Sequence, residues 1–389
     1  MKYYILPVTF VLASACAVSA IAADRFTIKG VVPGVSDSTK IVLIKAEQEK
    51  KEKIAEVFTT DGSFVIDGSV KMPSLCELAV MRRNKRGDFG TATSPRIMVE
   101  NSDINVRFTQ PLDSLVSSYT PERLMEVNGS EAHREFVEYI AKCGDAELKS
   151  KLAGYRHAEK YFETNDNPDT MAVYKALDDK AKSELRQARR EFIAARPAYH
   201  ISSVLAFQQM LDIFTLPEDE AVNLAATVSV NPDTARVALN NKALDWAKRF
   251  ALGRTYPDFA INDVKGDARR FADFVEPGKY TFIDFWASWC GPCRSAIPHV
   301  RKLSERYADR MNVLSISVDE NVAAWTKAME KEQMPWSQLH ANQDQMPDVV
   351  NAYCINSIPR LILLDPQGRI VCSTNLPAEI DKYLEENLK

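Results

Sequence analysis

Phe282-Ile283-Asp284-Phe285-Trp286-Ala287-Ser288-Trp289-Cys290-Gly291-Pro292-Cys293-Arg294 is the stretch whose reading decides the fold. Its apolar run reads as a buried strand, followed by a short turn and a helix that begins at the first cysteine. Two cysteines separated by two residues in a first helical turn can close a small disulfide ring with little backbone movement. A thiol at a helix N-terminus faces unpaired backbone N–H groups and the positive end of the helix dipole. That setting favours thiolate and can lower the thiol pKa from ~8.5 to between roughly 3.5 and 7.5. Cys290 is therefore the predicted nucleophile. Cys293, nearly one turn further in, is expected to be shielded and to resolve a mixed disulfide by attacking the Cys290 sulfur.

A CxxC pair can also be half of a zinc site, but no second CxxC and no HxxxH accompanies it. The five histidines (His133, His157, His200, His299 and His340) are scattered, so no metal site is predicted and no cofactor is called for. His299 follows Pro298 on the expected active-site helix, where a surface or packing role is the simpler reading.

Outward from this segment, the residues after Gly253 alternate strand and helix patterns. Strands are expected at Tyr280 to Phe285, Val313 to Val318, Leu361 to Leu364 and Arg369 to Cys372. Helices are expected near Cys290, from about Val322 and from Ala378. This is an α/β arrangement with a mixed central sheet, assigned to residues 253–389. Residues 116–252 carry helical periodicity, as in Phe136, Tyr139 and Ile140, and read as a helical spacer or docking region. Pro217 and Asn231-Pro232-Asp233 look like helix starts within it. Residues 24–115 show short β-branched runs broken by Asp61-Gly62 and Asp67-Gly68, the pattern of a small antiparallel sandwich or barrel.

Residues 1–23 read as an export signal: Lys2, an apolar stretch, and small residues ending Ala20-Ile21-Ala22-Ala23. Cleavage after Ala22 is the leading expectation. Lipid attachment at Cys16 and an uncleaved anchor helix are the alternatives. All three place the protein outside the cytoplasm, in a disulfide-permissive compartment such as a bacterial periplasm, with a tether at the N-terminus in two of the cases.

The whole chain has 389 residues, 46% of them hydrophobic and 26% charged, which is ordinary globular composition and enough length for two or three domains. Lys and Arg number 49 against 53 Asp and Glu, a net charge of −4 that offers no global field for nucleic acid. The short basic clusters Arg82-Arg83-Asn84-Lys85-Arg86 and Arg189-Arg190 read as a solvated loop and a solvated helix face. Seven cysteines are too few for a disulfide scaffold in so long a chain. Of these, Cys76 and Cys143 read as core residues. Cys354 and Cys372 are expected to be two unpaired small residues, with an accessory disulfide between them as the alternative. The sequence sets no oligomeric state.

Residues 253–389 resemble a thioredoxin-fold domain of the TlpA/ResA-like group of exported thiol-disulfide oxidoreductases. The resemblance rests on Trp-Cys-Gly-Pro-Cys at 289–293, Asp284 in the preceding strand, Pro298, Ile358-Pro359 before a strand, and the opening Tyr256-Pro257-Asp258-Phe259. It rests also on a longer insertion between Cys293 and Pro359 than a bare thioredoxin carries. Residues 24–250 more weakly resemble the β-rich domain of unknown function and helical segment found ahead of such domains. The resemblance implies that Pro359 is cis beside the disulfide, with the Ile358 backbone pairing with an extended substrate segment. It implies that Trp289 forms an apolar wall, and that a membrane-bound electron donor recharges the dithiol. Trp286 reads equally well as core, while Trp325 and Trp336 are expected to cover the sheet.

A carboxylate on a buried strand beneath a disulfide should have a raised pKa through desolvation. That suits Asp284 to moving a proton to or from Cys293 through water, the alternative being a carboxylate paired with a structural lysine or the backbone. Gly291-Pro292 between the cysteines matches the reducing, thioredoxin end of a span of potentials from about −270 to about −120 mV, roughly 7 kcal/mol for this two-electron couple. The function expected is reduction of disulfides in exported proteins. The competing readings are an isomerase or oxidase, a thiol peroxidase, for which no Pro-x-x-x-Thr-x-x-Cys pattern is present, and a binding protein whose main activity lies in residues 24–250.

Overall fold

The computed structural model describes residues 24–388, apart from 36, 38, 48–51, 84–86, 117, 164–167, 212–215, 354 and 356. The expected signal segment, residues 84–86 of the first basic cluster and Cys354 lie outside the described residues. Among the described residues, no helix is long and apolar enough to cross a membrane.

The first eight strands are β1 (Phe26–Val31), β2 (Lys40–Lys45), β3 (Glu52–Phe58), β4 (Ser63–Gly68), β5 (Ser74–Arg83), β6 (Phe89–Thr93), β7 (Arg96–Val99) and β8 (Asp103–Phe108). After a short helix α1 (Leu112–Val116), strand β9 (Met125–Asn128) returns to the edge of the first sheet. One sheet runs β4-β1-β8-β9 and the other β3-β2-β5-β6, with β7 also on β5. Strict alternation in β8 turns Ile104, Val106 and Phe108 inward to meet Ile41, Leu43 and Leu78 of the facing sheet. The sandwich departs from the expected pattern in two ways. β1 and β8 run parallel, and β9 carries the sheet past residue 115, because a strand separated from its partner by a helix leaves no hairpin signal.

Five helices follow: α2 (Glu131–Glu163), α3 (Pro168–Ala195), α4 (His200–Leu211), α5 (Glu218–Val228) and α6 (Thr234–Phe250). Pro217 stands at the N-cap of α5, and the Asp233 carboxylate caps α6 by accepting from Ala235 N and Arg236 N. The helices pack on the back of the second sheet, where Leu75 and Met98 join Phe136, Tyr139, Phe192 and Val204 in one core. β5 is therefore covered on both faces, and most of its length is buried. A fully buried ion pair links the two layers. Arg236 Nη1 donates to Glu47 Oε2 at 2.8 Å, and Glu47 Oε1 accepts from Leu75 N at 2.6 Å.

The solvated helix face expected at Arg189-Arg190 is not observed. Arg189 reaches inward to Glu147 at 2.6 Å and to the Tyr139 hydroxyl at 2.9 Å, while Arg96 of β7 grips the other Glu147 oxygen at 2.7 Å. Burial alone would raise the pKa of Glu147, but the Arg96 and Arg189 charges outweigh it and hold the carboxyl at about 2. Arg190 pairs with Glu220. A sequence run of two arginines does not reveal that carboxylates from other elements converge on it.

The remaining elements are β10 (Ala260–Asp263), β11 (Ala268–Arg270), β12 (Tyr280–Trp286), α7 (Gly291–Arg306), β13 (Met311–Ser317), α8 (Val322–Glu332), β14 (Ser337–His340), α9 (Met346–Ala352), β15 (Arg360–Leu364), β16 (Ile370–Thr374) and α10 (Pro377–Asn387). They form a seven-stranded mixed sheet in the order β11-β10-β14-β13-β12-β15-β16. β12 is central, parallel to β13 and antiparallel to β15. One face is covered by the cluster of Phe259, Phe271, Ile283, Phe285, Ile316 and Tyr353. On the other, Phe282 meets Val300 and Leu303 of α7 and Ile380 and Leu384 of α10. The C-terminal region touches the helical region through Glu379 of α10 with Lys175 at 2.6 Å and Arg254, ahead of β10, with Glu218 at 2.6 Å.

Candidate active site

The period of two along β12 decides what lies under α7. Ile283 and Phe285 face one side of the sheet, so Phe282, Asp284 and Trp286 face the other, toward the helix that carries the cysteines. Where β12 ends, Ala287-Ser288-Trp289 turns the chain and Cys290 becomes the N-cap of α7. Cys290 and Cys293 form a disulfide with Cα atoms 5.3 Å apart, the span expected for one helical turn. The backbone N–H of Cys293 donates to Cys290 Sγ at 3.2 Å. Pro292 lies in the first turn and has no N–H of its own. Both sulfurs sit in a cluster with Trp286, Ala287 and Trp325, Cys293 at 1% exposure and Cys290 at 5%. Trp289 projects beside them at 68% exposure.

The Ile358–Pro359 peptide bond is cis. Ile358 packs against the cysteine cluster from just before β15, so Trp289, Cys290, Cys293, Ile358 and Pro359 come together where β12 ends and β15 begins, two interior strands of the sheet.

Asp284 lies at 3% exposure, and burial pushes its carboxyl up to about 7 against the lowering effect of a hydrogen bond from Ser315. Among the described residues its hydrogen-bond partner is Ser315, whose Oγ donates to Asp284 Oδ2 at 3.0 Å.

Several polar groups behind the site were not singled out from the sequence. Ser288 N and Oγ both donate to Asp319, at 2.7 and 2.6 Å, and Ser317 Oγ donates to the same carboxylate at 2.8 Å. His340 Nε2 lies 2.8 Å from the Asp319 carbonyl and its ring stacks on Trp325. This network anchors the turn that presents Cys290. The sequence signal for polar groups behind the site is the pair Ser315 and Ser317, two apart in β13 and both buried, which marks one face of a buried strand as polar. Trp325, expected only to cover the sheet, is in the cysteine cluster.

The other described cysteines are outside the disulfide. Cys76 and Cys143 are buried and unbridged, and burial raises both thiols, Cys143 to about 11. Cys372 is likewise unbridged, its thiol pushed by burial to about 11. His299 is half-exposed and 3.9 Å from Asp381, a surface position as expected.

A family model described as thioredoxin-like matches residues 278–370, and one described as a domain of unknown function, DUF4369, matches residues 26–136. The thiol-disulfide oxidoreductase ResA of Geobacillus kaustophilus is 32% identical over 139 residues, which is 35% of this chain and 77% of the relative. Thioredoxin 1 of Synechococcus elongatus is 29% identical over 124 residues, 30% of this chain and 92% of that protein. Among solved structures, the thioredoxin domain of a thiol-disulfide oxidoreductase from Bacteroides vulgatus is 32% identical, with 34% of this chain and 97% of that one covered and a TM-score of 0.32. By its aligned C-terminal third and the disulfide at the head of α7, this chain belongs to the ResA-like thiol-disulfide oxidoreductases.

Proposed function

We propose that the protein works outside the cytoplasm as a reductant of protein disulfides, cycling Cys290 and Cys293 between dithiol and disulfide. The observation that carries the redox cycle is the Cys293 N–H aimed at Cys290 Sγ at the start of α7, which marks Cys290 as the nucleophile, while the reducing direction rests on Gly291-Pro292 between the cysteines. The same donor and the helix dipole stabilise a thiolate on Cys290 once the bond is reduced. In the reductive half-cycle the Cys290 thiolate attacks one sulfur of the substrate disulfide, forming a mixed disulfide and releasing the other substrate sulfur as thiolate. Asp284 then takes the Cys293 proton through water. The Cys293 thiolate attacks Cys290 Sγ, restoring the internal disulfide and releasing the second substrate thiolate. Two electrons pass from the dithiol to the substrate, and a membrane-bound dithiol donor returns two electrons for the next cycle. Trp289, Ile358 and Pro359 form the lip on which an extended substrate segment lies, and residues 24–252 serve as a docking region that selects the substrate.

Cys290→Ser is expected to abolish reduction of insulin disulfides. Cys293→Ser is expected to accumulate a mixed disulfide on Cys290, visible by non-reducing electrophoresis and mass spectrometry. Insulin reduction retained by Cys290→Ser would overturn the assignment.

A further inference from the structure

Ser315 sits opposite Asp284 in the β12–β13 ladder and is wholly buried. Its hydroxyl has one proton and two lone pairs. The indole Nε1 of Trp336, which can only donate, lies 2.8 Å from Ser315 Oγ. Ser315 therefore accepts from Trp336, and its own proton points to Asp284 Oδ2. Donor follows donor along the chain Trp336, Ser315, Asp284, and each bond polarises the next.

No charged side chain substitutes for this arrangement. From β15 the residue opposite Asp284 is Leu361, and from β14 the residue opposite Ser315 is Gln338. On α7 the titratable groups above are Cys290 and Cys293. Arg294 is paired with Glu332 of α8, while Arg301 donates to the Glu332 carbonyl and lies over the Trp336 ring. His299 is turned to Asp381 of α10.

We propose that Trp336 and Ser315 are positioning residues for proton transfer at the disulfide: they occupy Asp284 Oδ2, leave Oδ1 to carry the exchangeable proton, and set the pH at which that proton departs. The inference rests on the reading of Asp284 as the proton carrier for Cys293, and its test separates the two. The readout is the carboxylic C=O infrared band that the oxidised full-length protein shows and Asp284→Asn lacks, followed against pH.

Ser315→Ala removes a hydrogen bond that favours the carboxylate, so the midpoint of that band should rise by about one pH unit or more. Trp336→Phe keeps an aromatic side chain and loses the indole N–H, and should raise the midpoint by a smaller amount in the same direction. Ser315→Thr keeps the hydroxyl and should restore it. A purely structural role would lower the melting temperature and leave the midpoint in place. An unchanged midpoint in both Ser315→Ala and Trp336→Phe overturns the proposal, as does a band that does not titrate between pH 4 and pH 9. If Asp284→Asn instead leaves the pH–rate profile of insulin reduction unaltered, the proton-carrier reading falls, while the band midpoints still decide the hydrogen-bond assignment.

Discussion

Replacing Asp284 by Asn should make the folded protein more tolerant of alkaline conditions, by an amount that follows from the burial of one carboxyl group. Below about pH 3.8 Asp284 is protonated in both the folded and the unfolded chain. Between 3.8 and about 7 the folded chain holds a proton that the unfolded chain has lost, so stability falls as pH rises, at about 1.4 kcal/mol per unit. Above about 7 both states are ionised and the whole penalty, on the order of 4 kcal/mol, is in place. Asparagine matches the shape of the neutral acid and does not titrate. The stability of the wild type relative to Asp284→Asn should therefore drop by about 3 kcal/mol between pH 5 and pH 8. Differencing the two proteins removes every other titrating group from the comparison. Urea unfolding of the oxidised proteins, followed by tryptophan fluorescence, measures it, because Trp286, Trp289, Trp325 and Trp336 all lie in the region of the mixed sheet and its helices. A stability difference that is flat from pH 5 to pH 8 would refute the reasoning, since Asp284 would then hold the same protonation state in both chains across that range.

Two further outcomes follow from burial. Trp289→Ala removes a ring that is mostly in solvent, so unfolding free energy should stay within about 0.5 kcal/mol of wild type. Insulin reduction should fall about tenfold or more while reduction of a small aromatic disulfide is spared; equal losses on both substrates would count against Trp289 as part of the protein-binding lip. Arg236→Ala leaves Glu47 buried without its partner and should cost about 3–5 kcal/mol in urea unfolding. The double replacement Glu47→Leu with Arg236→Met should recover most of that loss, because it removes both desolvated charges; no recovery would mean that the pair contributes more than its own desolvation consumes.

The redox element was legible because its determinants are local. Cys290, Gly291, Pro292 and Cys293 lie within one helical turn, and an apolar run before them announces the strand that aims the helix. Asp284 was legible for a related reason: a lone carboxylate in a run of Phe and Ile lies in a strand covered on both faces, and desolvation then raises its pKa. Its hydrogen-bond partner was not. Ser315 and Trp336 are 31 and 52 residues away in sequence, and only the parallel pairing of β12 with β13 brings the hydroxyl onto the carboxylate. The same holds for Asp319 and Ser288, and for Arg189, whose partners Tyr139 and Glu147 come from α2, with Arg96 of β7 on the same Glu147 carboxylate.

By itself, then, the sequence determined the order of the three regions, the chemistry of the CxxC pair and the face of β12 that carries Asp284, all of which depend on neighbours within a few residues. Only the tertiary structure decided which groups orient the carboxylate, which carboxylate anchors the Cys290 turn, and that the β-rich and helical regions share the buried Glu47–Arg236 pair. Those choices are made by sheet register and helix packing, which join residues distant in sequence and leave no periodic signal in the chain.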